Sequence, residues 1–158
     1  MISSRIFPAI NAVVAIATAA LEATETTVID GPVSSQVPDG NFLCVGADTP
    51  YNSGTQIMAV DGDSDWAALG ARAREETFTI WCTYVAWTGD SDLSDARARA
   101  ATDIGELEAA LRAAPGFNLN GTLPSGWVAL VITRVSQVNT DNGVQVHVLF
   151  GVVCRARI

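Results

Sequence analysis

Apolar and polar positions alternate with a period of two through "TFTIWCTYVAW" (77–87), and large apolar side chains occupy both alternating sets. Phe78, Ile80, Cys82, Tyr84 and Ala86 form one face suited to a core. Thr79, Trp81, Thr83, Val85 and Trp87 form the other, a mixture of hydroxyls and large apolar groups. A strand with one solvated face alternates apolar and polar, so a second face carrying two tryptophans calls for cover of its own. The candidates are an N-terminal helix of the same chain, which is the preferred expectation, a ligand, or a neighbouring copy.

The N-terminal helix is expected over residues 4–23. Ile6, Ile10, Val13, Ala17 and Leu21 fall at i,i+3 and i,i+4 spacings, Ser3 or Ser4 can cap it, and Pro8 sits early, where its missing N–H costs least. The segment has the outline of a secretory signal, but its single stripe reads as a partly buried helix, too short and interrupted to span a bilayer. "TTVID" (26–30) and "FLCVG" (42–46) are strand-like, and the glycines and prolines of "GPVSSQVPDG" between them mark a loop. Residues 47–73 read as one long polar loop, of the kind that is functional or ordered only on assembly.

A second helix, roughly 91–114, follows the long strand. Leu93, Ala96, Ala100, Ile104, Leu107, Leu111 and Ala114 make its apolar stripe, interrupted only by the weak helix former Gly105. Asp95, Arg99, Asp103, Glu106, Glu108 and Arg112 make its polar face, with Asp95–Arg99 and Glu108–Arg112 at i,i+4. Asp90 or Ser91 can cap it and Pro115-Gly116 stops it. The last third is a hairpin: "WVALVITRVSQV" and "VQVHVLFGVVCRARI" flank "NTDNG", where Asn142-Gly143 favours a tight reversal. Val144, Val146, Val148, Phe150, Val152 and Cys154 line one face, with His147 and Gln145 on the other. The order predicts a single α+β domain over residues 1–158. It is one mixed or antiparallel sheet with helices packed on it and a C-terminal β-hairpin.

Composition narrows the function. The 158 residues are 49% apolar and only 16% charged, enough for a sizeable core. All nine basic residues are arginine against 17 acidic ones, a net charge of -8, so a generic nucleic-acid binder with a basic patch is excluded. An acidic surface can still line a channel through which DNA slides. Cys44, Cys82 and Cys154 are odd in number, unpaired by any CxxC spacing and set among strand-like residues, the usage of buried free thiols in a reducing compartment. "DGDSD" (61–65) has the alternate aspartates of an EF-hand loop, but Trp66 and Arg72 stand where that loop needs glycine and glutamate. The chain has no GxSxG, no phosphate-binding glycine loop and no HExxH, and its one histidine has no metal-ligand partner at a useful spacing. The expectation is a protein with no catalytic residues, no cofactor and no metal.

"TVIDGPVSS...PDGNFLCVGAD", then "WAALGARAREETFTIWCTYVAWTGDSDLSDARARA", a helix, a hairpin and the terminal "CRARI" resemble the tail terminator proteins of long-tailed phages, those of actinobacteria above all. The resemblance covers about residues 5–158; the stretch 49–62 departs from it. It implies a structural virion protein, assembled in the host cytoplasm, that forms a ring, usually a hexamer, on the head-proximal end of the tail tube. The ring stops tube growth and docks the tail to the head connector, and DNA passes its lumen without sequence-specific contacts. The implied partners are the protein itself, the tail tube protein and the connector or stopper protein, with no membrane. A head–tail stopper or other neck ring is the nearest alternative, and a small-molecule binding module, its pocket lined by Trp66, Trp81 and Trp87, a more distant one. Arg72, Arg74, Glu75, Glu76, Trp81 and Trp87 are the candidates for contacts with a neighbouring subunit or the tube.

Overall fold

The two longest apolar alternations pair with each other at the centre of the sheet. In the computed structural model, which describes residues 4–52, 54–66, 73–113 and 117–158, strand β4 is Arg74–Thr88 and strand β6 is Gly143–Arg157. They run antiparallel from Glu75 opposite Arg157 to Thr88 opposite Val144. The other short strands are β1 (Thr27–Asp30), β2 (Phe42–Val45) and β3 (Val60–Trp66), and β5 is Trp127–Thr140. The order is β1-β2-β4-β6-β5, with β3 pairing the first half of β4 and β2 the second half. Only β1 and β2 are parallel. This is the mixed sheet with packed helices and a C-terminal hairpin that the pattern predicts. The hairpin reverses at Asp141-Asn142, one residue earlier than expected, and Gly143 already faces Thr140 in the ladder.

Helices α1 (Ile6–Leu21) and α2 (Leu93–Ala113) lie on the same face. Ala9, Val13, Ala17 and Leu21 of α1 join Ala96, Ala100, Ile104, Leu107 and Leu111 of α2 over Leu43, Phe78, Ile80, Tyr84, Val148 and Phe150. Burying one large aliphatic or aromatic side chain stabilises by about 1.5–3 kcal/mol, so this layer dominates the fold. The expectation that α1 covers Trp81, Val85 and Trp87 is therefore corrected. Side by side, the helices bury their flanks against each other as well as against the sheet, which opposite faces would forbid.

α1 with its following 3-10 turn (Ile6–Thr24) has the length and hydropathy of a membrane-crossing helix, contrary to the reading from sequence. Here its buried stripe packs on the sheet. The N-cap position is Arg5, with no side-chain cap bond, where Ser3 or Ser4 was expected; Ser4 Oγ accepts the Ile6 N–H at 3.2 Å from one position outside the helix. The Arg5 N–H goes to Glu76 Oε2 of β4 at 2.7 Å, which places a carboxylate at the positive end of the helix.

At the start of α2 the cap is Asp92, not Asp90 or Ser91. Its Oδ1 accepts the Ser94 and Asp95 N–H groups at 2.9 and 3.2 Å. Arg99–Asp95 and Arg112–Glu108 form at 3.4 and 2.6 Å, as their spacing predicts. Asp103 departs from the polar face assigned to it. It is buried, and its Oδ2 accepts the Tyr84 and Thr26 hydroxyls at 2.6 and 2.5 Å, tying α2 to β4 and to the entry of β1.

The loop expected over 47–73 contains a strand. β3 pairs in register from Val60 opposite Ile80 to Trp66 opposite Arg74. Aspartate, glycine and serine have poor strand propensity, and here the backbone of β4 supplies the ladder that overrides it. Gly62 permits the close approach, because a Cβ there would lie 2.5 Å from Phe78 Cβ. Asp61, Asp63 and Asp65 are exposed along this strand, on the face of the sheet away from the helices.

Candidate assembly surface

The face of the sheet away from the helices is covered in part. Val33, Ala47, Tyr51 and Ile57, from the segment between β1 and β3, pack over Phe42, Cys44 and Val85 as a second small core. The segment is held by bonds from Val33 N to Pro50 O (2.9 Å), Asp48 N to Met58 O (3.0 Å) and Thr83 Oγ1 to Ala47 O (3.0 Å). Loop backbone polar groups near an apolar face need such partners, and these connections supply them. For Val85, then, the cover is neither a helix nor a neighbour but the chain's own loop.

Trp81 and Trp87 are treated differently. The Trp81 indole is half-buried and lies across Gly151 of β6, whose hypothetical Cβ would sit 3.6 Å from the ring. Its Nε1 is shielded and makes no hydrogen bond within the described residues. Trp87 is 38% exposed and stands between two open clefts of about 350 and 410 Å³. The first has an apolar floor of Phe42, Tyr51 and Val85, and the second a polar rim including Glu25, Asp90, Asp95 and Arg99. Trp66 and Trp81 line neither cleft, so the tryptophan-lined pocket of the more distant alternative does not form at either.

Beyond the loop the sheet is bare. Among the described residues β5 pairs only with β6, and from Val131 to Thr140 every residue is exposed. Register with β6 places Ile132 and Val135 on the helix side, past the reach of α2, and Val131 and Val138 on the other side. Val131, Ile132 and Val135 expose 51%, 54% and 53% of their surface. Nothing in the sequence alternation distinguished this strand from a buried one, because burial of β5 depends on how far α2 reaches along it.

The charged candidates separate. Arg74 is exposed; its Nε donates to Ser64 Oγ at 3.1 Å and its Nη2 lies 3.8 Å from Glu76 Oε1. Glu75 is half-exposed and bound by Arg155 Nη2 at 2.5 Å. Glu76 is corrected as a contact residue: only 3% exposed, it serves the N-terminus of α1 inside the subunit. Arg72 lies outside the described residues.

The thiols are buried, as expected of free cysteines. Burial pushes Cys44 up to about 11 and Cys82 and Cys154 up to about 12, so none is a nucleophile at neutral pH. His147 is half-buried with Nε2 3.0 Å from Gln145 Oε1 and the Tyr51 ring 6.0 Å away, and desolvation lowers its pKa. Among the described residues no group of three or more His, Cys, Asp or Glu is placed to hold a metal ion. No family model matches the chain, and no curated protein matches it.

Proposed function

We propose that the chain is a structural protein that completes itself by assembly, forming a ring that caps the head-proximal end of a phage tail tube. The observation that carries the reading is β5, an edge strand exposing Val131, Ile132 and Val135 on both of its faces. Branched apolar side chains exposed along one unpaired edge strand are what an assembly contact would cover. The resemblance of the sequence to tail terminators gives that surface its setting. The ring is homo-oligomeric, six copies by the resemblance, and it contacts the tube on one side and the head connector on the other. With six chains of charge -8 and no clustered arginine or lysine, the lumen is expected to be neutral or acidic and to let DNA pass rather than hold it.

Loss of the protein from its phage tests this directly. A ring that stops tube growth and docks the tail should, when absent, leave overlong tubes and unjoined heads, whereas tubes of normal length would favour the head–tail stopper. The expected outcome is overlong tubes, with this chain located at the upper end of the tail in a virion reconstruction. Its absence from the tail end would overturn the reading. Charge reversal at Arg72 and Arg74 is expected to impair tail completion while the isolated subunit stays folded.

A further inference from the structure

The sheet has two edges of opposite character, and we propose that they join: β5 of one copy pairs edge to edge with β3 of the next, so that the sheet continues from subunit to subunit. The inference rests on the self-assembly argued above and names its seam. Both strands have one side without a partner strand among the described residues, β3 because it pairs only with β4 and β5 because it pairs only with β6. Unpaired N–H and C=O groups along an edge are a template for another strand.

Each face offers one match, with Val131 and Val138 of β5 sharing the face of Arg134. Arg134 lies opposite Leu149 of β6, and Asp61, Asp63 and Asp65 lie opposite Thr79, Thr77 and Glu75 of β4. The β4–β6 register puts all of them on the face away from the helices. On the helix side stand Ile132 and Val135 of β5 and the exposed Trp66 of β3. A continued sheet therefore brings the one charged residue of β5 among three carboxylates, and sets its two branched side chains beside an uncovered indole.

The wider charge distribution points the same way. All but one of the 17 acidic residues precede Ala109, the exception being Asp141, whereas Arg112, Arg134, Arg155 and Arg157 follow it. Copies of an acidic chain approach most readily where one presents arginine and the other carboxylate. Like edges are disfavoured: β3 against β3 opposes carboxylates, and β5 against β5 brings Arg134 toward its own copy. Unlike edges make a head-to-tail contact, the kind that closes into a ring when its rotation allows.

Cysteine cross-linking reads the seam, since the three native thiols are buried and do not compete. The full chain carrying both Asp63→Cys and Arg134→Cys is expected to give a ladder of covalent multimers under mild oxidation at high concentration. A mixture of the two single variants is expected to give covalent dimers only, and each single variant alone none. Dimers from Arg134→Cys alone would mean a two-fold β5 contact and overturn the proposal. Multimers seen by sedimentation without cross-linking of the double variant overturn the seam and leave self-assembly standing. A wild-type chain that sediments as a monomer at every concentration overturns the seam, and a ring that forms only on the tube is then decided by the virion reconstruction. Should a cysteine variant fail to fold, the charge swap decides: Asp63→Arg and Arg134→Asp each lose assembly, and together they restore it or the seam is wrong.

Discussion

On the helix side of β4, Phe78, Ile80, Cys82, Tyr84 and Ala86 are all buried beneath α1 and α2, whereas on the other side Val85 is buried by a loop, Trp81 in part, and Trp87 stays exposed. The alternation that creates the two faces is the same. What differs is the origin of the cover: long amphipathic helices with stripes of their own on one side, and an irregular segment with few apolar residues on the other. A strand pattern states that a face wants burial; it does not state from how far along the chain, or from which chain, the burial comes.

Substitutions that probe the two faces should differ accordingly. Phe150→Ala on the helix side is expected to destabilise by about 3–5 kcal/mol in urea unfolding, because close packing around it leaves a cavity. A loss below about 1 kcal/mol would mean that the helix layer is not the main core. Asp103→Ala comes next, at about 2–4 kcal/mol, since it strands the hydroxyls of Tyr84 and Thr26 without their acceptor. Asp103→Asn, which keeps an acceptor oxygen, should recover part of that loss; identical losses would show that packing alone matters there.

On the second face, Val85→Ala is expected to cost about 1–2 kcal/mol, and Val131→Thr within about 0.5 kcal/mol in the isolated subunit. The comparison sharpens if Val131→Thr nonetheless weakens assembly, and it breaks if the two substitutions cost the same. The smallest effect is expected from His147. Partial burial favours its neutral ring, so its folded pKa lies below the ordinary 6.5 and the unfolded chain binds the proton more readily. That stability is fully present above pH 6.5 and is lost as pH falls through the folded value. Between pH 7.5 and 5.5 the wild type should therefore lose slightly more thermal stability than His147→Gln. An equal loss in both would show that the ring's desolvation carries no weight.

Much of the architecture was legible because its signals are local. The stripe from Leu93 to Leu111 can only be a helix, and two long alternations either side of "NTDNG" can hardly avoid a hairpin. β3 was not legible, since Asp61, Gly62, Asp63, Ser64 and Asp65 argue for a turn and become a strand only against β4. Asp103 and Glu76 were misread for a related reason. Each looks solvated in its own helix or strand, and each is buried by a partner more than seventy positions away in sequence, Thr26 in one case and Arg5 in the other. Of the described contact candidates only Arg74 and Trp87 stand exposed, Trp81 and Glu75 partly so, and the bare length of β5, which depends on where α2 stops, had no local signal.

Glu76 also has a consequence for how the subunit breathes. α1 is fastened at its first turn by one carboxylate of β4, and it fully buries Ala9, Val13, Ala17 and Leu21 while Ile6, Ile10 and Ile16 are only partly covered, where α2 buries Ile104, Leu107 and Leu111. Partly covered side chains release less free energy on docking than fully buried ones, so α1 can lift away as a unit at lower cost than unfolding the whole chain. Its amides should take up deuterium earlier than those of α2, by a local opening that leaves β4 and β6 paired.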